Sequence, residues 1–578
     1  MKKIFNIVLL GLVMVAASSC KKYLDVNDNP NSPTSSSPDL VLPQALVATA
    51  STALTFNNYG AWVAGYQANA SGYGAYGGGV LTYAYTTTDN NGLFTGPYSN
   101  IKDYNYVLVN TAPTGDQMYF NAVARTMIAF QFARMVDQYG DLPYFDSFKG
   151  ATNLTPKYDK AEDIYKDLVK QLNTAIATFK ATPTGTTQAI DKTTTGKIDV
   201  MFNGNITRWA QFANTLKLRL LVRSAKVPSM ATFVAAEKAS LPTSNAGYLE
   251  DDAIVNPDYV AVAGKVNPMF ASYAYTLTST GADLTRIPTR WALSFYDGGK
   301  LVDRHRGAAI YRSFAAGSTK KNQLGNQTGT YDVGIDGSAW FSQQGVDYAA
   351  GNTATGSNAT SIGIIKGATA GQVIMLAAES YFLQAEAGLS DVNIVTTGTV
   401  QSNFEKGISA SYTYLYKTPA NAVTTQKDPV LYTVTPTPGT IADANPTTGV
   451  IPANIPAQYS VTKSLQDYKA DNAASFLVNI NLAASDEERR EAIINQKYIA
   501  MNLITSDESW NEYRRTGYPK VTGTTATTTF ASTQSSITAR PDKLPVRVLY
   551  PDEEYKLNPL NVPQNVSTTT SRIFWDLN

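Results

Sequence analysis

Cysteine and histidine are almost absent from the 578 residues, which contain only Cys20 and His305. A single cysteine excludes a disulfide within the chain, and a single histidine excludes a zinc site made of several histidines. A Ser-His-Asp triad would have to use His305, which follows Gly298 and Gly299 among charged residues. We interpret it as a surface-loop histidine, and we expect no metal, no cofactor and no catalytic residue.

Charge is also scarce, because charged residues make up 16% of the chain. The 47 basic and 46 acidic residues nearly balance, so there is no basic field that would favour a nucleic-acid partner. The polar surface must therefore consist largely of neutral side chains. The 35 tyrosines offer flat apolar faces with a hydroxyl, which suits neutral polar ligands but equally suits packing in a core.

Long apolar runs are missing except at the N terminus, where Lys2 and Lys3 precede a mostly apolar run that ends at Ala17. Small residues and then Cys20 follow, which is the pattern of a bacterial lipoprotein signal. We predict that residues 1–19 are the signal peptide and that Cys20 is the lipid attachment site, carrying palmitate or similar chains. The alternative is an ordinary secretory signal, since Ala17 stands where leucine is usual.

After the signal, residues 20–40 are rich in Ser, Pro, Asn and Asp and predict a flexible tether. No later segment approaches the roughly 20 apolar residues of a membrane span, so we expect a lipid-anchored protein. Residues 41–578 are expected to form a single body with four loop insertions. These are expected at about 71–100, 315–370, 418–460 and 521–540.

Apolar residues recur at helical spacing throughout the body, which predicts a mainly α-helical fold. Ser485 and Glu488 form a capping box that opens a further helix, carrying Ile494, Tyr498, Met501 and Leu503. Helices of this length in succession indicate stacked helical hairpins. The other predicted helices span 121–139, 160–179, 207–226, 372–388 and 402–417.

Short motifs spread along the chain resemble the SusD/RagB family of outer-membrane nutrient-binding lipoproteins of Bacteroidetes, in its SusD-like branch. They are CKKYLD (20–25), NPN (29–31), DQYGDLPY (137–144), WAQFANTLKLR (209–219), AAESYFLQAEA (377–387), QKYIA (496–500), YRRTGYP (513–519), and the C-terminal Arg547, Tyr550-Pro551, Glu554 and Trp575-Asp576. The resemblance implies four tetratricopeptide-like helix pairs and a place on the outer face of the outer membrane. It also implies that the protein forms a lid on a SusC-type TonB-dependent transporter. Such lid proteins capture oligosaccharides or, in some members, peptides, and they are not enzymes.

Sugars stack their apolar faces on aromatic rings, and in this family such rings come from loops. Trp340 is the strongest candidate because it lies in a loop of Gly, Ser and Asn; the alternative is that it anchors the loop. The ligand-binding candidates are Trp340, Phe341, Tyr331, Tyr73, Tyr76, Tyr83 and Tyr85.

Two other functions stay open at this point. A surface glycoside hydrolase would need a carboxylate pair, and Glu379 and Glu386 share one helical face, but two turns place their Cα atoms about 10.5 Å apart without acid–base context. We expect structural roles for both, and we expect Arg514 and Arg515 to pair with carboxylates. An interaction protein that binds only another protein would show no affinity for small ligands.

Overall fold

The computed structural model describes residues 36–73, 76, 79–183, 185–191, 198–312, 314, 319–327, 332, 338–342, 356–394, 398–427 and 458–578. Cys20, the predicted signal 1–19 and most of the predicted tether lie outside these residues, as does Tyr331. The body begins with a helix at Pro38, slightly before the predicted boundary at residue 41.

Helices dominate the described part of the chain, as predicted. They are α1 (Pro38–Val63), α2 (Gly92–Val109), α3 (Met118–Tyr139), α4 (Ala161–Lys180), α5 (Ile206–Ser224), α6 (Ala231–Glu237), α7 (Pro268–Tyr273), α8 (Arg290–Leu293), α9 (Arg304–Ile310), α10 (Ala377–Ala387), α11 (Val400–Leu415), α12 (Val461–Asp471), α13 (Asp486–Met501), α14 (Ser506–Thr516) and α15 (Asp552–Leu557).

The strands are short and form three antiparallel pairs. They are β1 (Gln67–Asn69) with β3 (Arg286–Pro288), β2 (Ala253–Val255) with β4 (Gln372–Met375), and β5 (Gln426–Lys427) with β6 (Gln458–Tyr459).

Consecutive helices pack as pairs: α1 with α2, α3 with α4, α10 with α11, and α13 with α14. Helix α5 packs against α4 and α10, and α14 returns to pack on α1. Helix α14, near the end of the chain, therefore packs against α1, the first described helix. These stacked pairs confirm the predicted mainly α architecture.

Helix α3 shows why the pairs hold together. Its predicted apolar stripes are both buried, because other helices cover it on several sides. Gly140, at a φ of 76°, ends the helix where a side chain would be strained. The buried stripes are Ile128, Phe132, Met135 and Tyr139, and Val123, Met127 and Phe130.

A buried ionic cluster joins α3, α5, α10, α13 and α14. Each cation in it has a carboxylate partner, which is the condition under which buried charges are tolerated. The pairs are Arg134–Asp507 at 2.8 Å, Arg219–Glu379 at 2.6 Å, Arg223–Glu508 at 2.6 Å, Lys497–Glu512 at 2.6 Å and Arg515–Glu386 at 2.7 Å.

The prediction for the arginine pair was half right. Arg515 binds both carboxylate oxygens of Glu386, as expected. Arg514 instead donates to the backbone carbonyls of Val546 at 2.8 Å and Asp137 at 2.7 Å. It therefore ties the C-terminal segment to the end of α3 without a direct carboxylate partner among the described residues.

Two predicted element boundaries were wrong. The predicted helix 372–388 begins only at Ala377, because Val373 and Ile374 belong to β4 and their β-branched side chains favour the strand. The predicted loop 71–100 ends at residue 91, because α2 begins at Gly92. Gly96 lies inside α2, and glycine weakens a helical pattern because it is a poor helix former.

Ser485 caps α13 as predicted, accepting the backbone N–H of Glu488 at 3.2 Å. The Glu488 carboxylate accepts the N–H of Ala484 at 2.6 Å, one residue before the expected partner. Helix α13 ends at Met501, so Leu503, at a φ of 55°, lies beyond it.

Helix α1 is the one described helix long and apolar enough to cross a membrane by length and composition. Residues along its length are buried against the rest of the body, among them Leu42, Leu46, Ala53 and Phe56. A core helix passes the same test, so this is weak evidence for a span.

Candidate functional site

Three predicted ligand-binding rings lie in the core. Trp340 is 1% exposed and meets the ring of Tyr273 edge-on at 5.9 Å. Phe341 is 0% exposed and packs against Phe270 and Tyr275. This placement matches the anchoring alternative for Trp340, since neither ring offers a face to solvent.

Tyr83 is also buried, and its hydroxyl accepts the backbone N–H of Ser532 at 3.1 Å. Ligand contact by Tyr83, Trp340 or Phe341 therefore stays a prediction that requires these rings to move. Tyr331 lies outside the described residues, and its predicted role is open.

Two other candidates, Tyr85 and Tyr76, lie at or beside an open cavity between α1, α2 and the segment before α2. Tyr85 lines it directly, while Tyr76 packs at 4.9 Å against Trp62, which also lines it. We call this the aromatic cavity. Its lining residues are Thr55, Asn58, Tyr59, Trp62, Val80, Tyr85, Asn90, Gly92 and Leu93.

Helix α1 supplies one wall of the aromatic cavity. Thr55, Asn58, Tyr59 and Trp62 stand at positions i, i+3, i+4 and i+7, which places them on one face of a helix. A rigid helix therefore presents a hydroxyl, a carboxamide and two aromatic rings side by side.

The opposite wall comes from the start of α2 and the turn before it. Asn90 adopts a φ of 61°, a left-handed conformation that asparagine tolerates. Gly92 lies two residues further on, and a Cβ there would be in ordinary contact, 3.5 Å from Thr55 of α1, so the two walls lie side by side. Leu93 is buried and closes the base.

Tyr76 extends the aromatic surface beyond Trp62. Its hydroxyl donates to the backbone oxygen of Thr285 at 2.5 Å, which fixes the ring beside Trp62. Tyr73 is 45% exposed three residues earlier in the chain, and no contact places it at the cavity. Of the seven predicted residues, Tyr85 thus lines the cavity and Tyr76 supports the Trp62 ring beside it.

The lining of the aromatic cavity is uncharged. Burial raises the pKa of the Tyr59 hydroxyl, and it raises that of Tyr85 well above its ordinary value, so both phenols stay neutral. Both hydroxyls are shielded from solvent and have no hydrogen-bond partner in the described ranges. Unsatisfied buried hydroxyls beside a cavity are common where water or a ligand supplies the missing partner.

A second cavity lies between the start of α5, β2 and the end of α11. Lys366 in its wall donates to the backbone oxygens of Gly363, Tyr414 and Lys417 at 2.7–2.8 Å. Asp252 pairs with Lys417 at 2.8 Å. These polar groups are already occupied, and the one ring in the lining, Tyr414, is buried, so sugar stacking is less favourable there.

Catalytic constellations were not expected, and the carboxylates that could suggest one have structural partners. Glu379 and Glu386 pair separately with Arg219 and Arg515. Within the described ranges, no group of three or more His, Cys, Asp or Glu side chains could hold a metal ion.

His305 is not in a surface loop, contrary to the sequence prediction. It is buried in α9, and its Nε2 lies 3.2 Å from Asp467 of α12. The charged neighbours of His305 suggested a loop, but they belong to the start of the helix. Asp303 caps α9 by accepting the backbone N–H of Arg306.

Sequence reasoning missed Asn58, Tyr59 and Trp62, because it searched the loops for rings. The available signal was the spacing of polar and aromatic residues along residues 55–62, on an otherwise apolar helix. Polar and aromatic residues at that spacing share one helix face, which indicates that this face does more than pack in the core.

Stacked helix pairs that carry an open, uncharged, aromatic cavity define a helical binding scaffold. The chain belongs to the SusD-like family: the family model described as "Starch-binding associating with outer membrane" matches residues 30–551. Members of this family are nutrient-binding proteins associated with the outer membrane.

Solved structures support the fold. A SusD homologue from Bacteroides uniformis is 22% identical, with a TM-score of 0.59 over 93% of this chain and 99% of its own. A chitin-binding SusD homologue from Flavobacterium johnsoniae is 20% identical, with a TM-score of 0.56 over 92% and 99%. A SusD/RagB family protein from Bacteroides thetaiotaomicron is 18% identical, with a TM-score of 0.59 over 94% and 100%. No curated protein matches the chain significantly.

Proposed function

We propose that this protein captures neutral oligosaccharides in the aromatic cavity and passes them to a SusC-type TonB-dependent transporter at the cell surface. The observation that carries the proposal is the uncharged cavity wall of Asn58, Tyr59, Trp62 and Tyr85. Aromatic faces stack on sugar rings, and neutral amides and hydroxyls bond sugar hydroxyls.

The family supports a glycan ligand. Its model is described by starch binding, and two similar structures are described as chitin-binding. Both polymers are neutral, as the lining of the aromatic cavity is. A peptide ligand, the alternative from the resemblance, would bring charged ends for which the described cavity wall offers no ionic partner.

The position of the cavity suits capture from outside the cell. Ser36, the first described residue, bonds the hydroxyl of Tyr106 near the end of α2. Gly92, at the other end of α2, lines the cavity. About 20 Å of helix therefore separates the cavity from the point where the predicted tether joins the body. We propose that lipid on Cys20 holds that end at the membrane.

Calorimetric titration with neutral hexasaccharides tests the proposal. The panel would be maltohexaose, chitohexaose, cellohexaose and xylohexaose, with the full chain in a detergent that has no sugar headgroup. We expect one of them to bind, and Trp62→Ala to weaken its affinity about tenfold through the lost stacking face.

Phe145→Ala is the matched control, because Phe145 is an exposed ring that does not line the cavity. It should bind like the wild type. Equal binding by Trp62→Ala and the wild type would remove the cavity as the site. Capture of peptides but no hexasaccharide would move the protein to the peptide-binding alternative.

A further inference from the structure

Asn58 is the carboxamide in the α1 wall of the aromatic cavity, and its amide has a defined orientation. Its Oδ1 accepts a hydrogen bond from the hydroxyl of Tyr273 at 2.9 Å. No residue that the structure describes accepts a hydrogen bond from its Nδ2, and this atom is open to solvent. Because the bond to Oδ1 decides which way a carboxamide points, the N–H donors are left for the cavity.

Tyr273 is itself held in place at the end of α7. Its ring is fully buried, and the Arg286 guanidinium lies 3.8 Å from the ring centroid. Arg286 also pairs with Asp283 and donates to the backbone oxygen of Ser272 at 2.9 Å. The hydroxyl of Tyr273 therefore cannot swing away from Asn58 without breaking this packing.

The Tyr273 hydroxyl lies between two amide oxygens, since Gln67 Oε1 is 3.1 Å away. A hydroxyl has one proton, so it donates to one of these oxygens at a time, and its shorter contact, at 2.9 Å, is with Asn58 Oδ1. This shorter contact favours the orientation in which Asn58 Oδ1 faces Tyr273.

The same segment supports the aromatic part of the site. Thr285, between Asp283 and Arg286, accepts the hydroxyl of Tyr76, whose ring packs on Trp62. Residues 283–286 thus contact both Tyr76, which packs on Trp62, and Tyr273, which bonds the Asn58 carboxamide. A ligand would meet a ring and an N–H donor whose relative position is fixed.

We infer that Tyr273 is a positioning residue for ligand selection, which fixes Asn58 so that it donates to an acceptor oxygen of the bound sugar. The inference rests on the proposed function of the aromatic cavity. The sugar residue beside Trp62 then has to present a hydroxyl, ring or carbonyl oxygen as acceptor at Asn58. Tyr273 does not touch the ligand and acts only through the amide.

Affinity measurements on Tyr273→Phe, Asn58→Ala and their double variant test this role, using whichever hexasaccharide of the panel binds the wild type best. Each single variant should lose about three- to tenfold in affinity, the usual effect of one hydrogen bond. The double variant should bind no more weakly than Asn58→Ala, because both changes remove the same bond. A purely structural effect of Tyr273 would add to that of Asn58.

Asn58→Asp provides an independent test at a half-buried position, where misfolding is a smaller concern. The carboxylate can still accept the Tyr273 proton but has no N–H to donate, so it should lose at least as much affinity as Asn58→Ala. Wild-type affinity in Asn58→Asp, or in a folded Tyr273→Phe, would overturn the inference.

These experiments distinguish a failure of the positioning role from a failure of the proposed function. If Trp62→Ala loses binding while Tyr273→Phe keeps it, only the positioning role is wrong. If the wild type binds none of the hexasaccharides, the proposed function and this inference fall together.

Discussion

Glu508 lies at the centre of the buried ionic cluster, between two arginines of α5. Arg223 is 2.6 Å from one of its carboxylate oxygens, and Arg219 is 3.4 Å from the other. Burial alone would raise the pKa of Glu508, but Arg219 and Arg223 outweigh it and hold this pKa at about 2. The folded protein therefore favours the ionised carboxylate.

Glu508→Gln should lower the free energy of unfolding at pH 7 by about 3–5 kcal/mol, because it leaves buried arginines short of a partner. The difference from the wild type should shrink as the pH falls from about 4.5 towards 2. Over that range the unfolded chain takes up the proton first, so the contribution of the ionised group is lost. Denaturant unfolding at several pH values measures the difference.

Glu405→Gln is a matched control, because Glu405 forms an exposed pair with Lys469 at 2.9 Å. Such pairs contribute less than about 1 kcal/mol, so little change is expected. A difference between Glu508→Gln and the wild type that does not vary with pH would contradict the assignment of an ionised Glu508.

Trp62 and Trp340 show what residue type alone can predict. Either tryptophan could stack on a sugar by residue type, and Trp340 is the stronger candidate from sequence because its surroundings are Gly-rich. The structure buries Trp340 against Tyr273 and leaves Trp62 partly exposed on α1. Burial of a single ring depends on distant packing partners, which a local composition does not contain.

Helices α1 and α14 approach closely at Gly60. A Cβ on Gly60 would lie 2.1 Å from the backbone nitrogen of Asp507, which is far inside contact distance. The contact is with backbone at the start of α14, which cannot move aside as a flexible side chain could. This crossing closes the stack of helix pairs, because it joins the first helix to one near the end.

Gly60→Ala should therefore destabilise the protein by about 1–3 kcal/mol, the usual effect of overpacking. Gly96→Ala, in the interior of α2, should be neutral or stabilising by up to about 1 kcal/mol, since alanine favours helix and the nearest side-chain atom is 3.7 Å away. Thermal unfolding of the two variants compares them directly. Equal effects would mean that the crossing is looser than described.

Elements with strong apolar periodicity were predictable from sequence. The predicted helix 160–179 appears as Ala161–Lys180, and 207–226 appears as Ile206–Ser224. The predictions were wrong where pairing with a distant segment decides the structure, as at Val373 and Ile374, whose strand partners lie in residues 253–255. The α1 wall of the cavity was missed for a different reason, because rings were sought in loops whereas Asn58, Tyr59 and Trp62 lie on a helix.

On the scale of the whole molecule, the anchor is still a prediction. Cys20→Ser should move the protein from the membrane fraction to the soluble fraction, because a serine cannot carry the thioether-linked lipid. Ser18→Ala, which keeps a small residue in the signal, is the control and should stay in the membrane. Membrane retention of Cys20→Ser would mean that another contact, such as the proposed transporter, holds the protein.

The described body brings together a closed stack of helix pairs and one open, uncharged cavity at the end of α2 away from the tether. This arrangement suits a protein that must hold a neutral ligand rigidly while its anchor stays at the membrane. Transfer to a barrel transporter requires the ligand to leave again, so modest affinity from one stacked ring and a few hydrogen bonds is expected.

A crystal structure of the protein with the best-binding hexasaccharide would test the central claim most directly. We predict a sugar ring over the face of Trp62, with an oxygen of that sugar within about 3.2 Å of Asn58 Nδ2. A sugar bound in the second cavity beside Lys366, or on another surface with the aromatic cavity empty, would contradict the account.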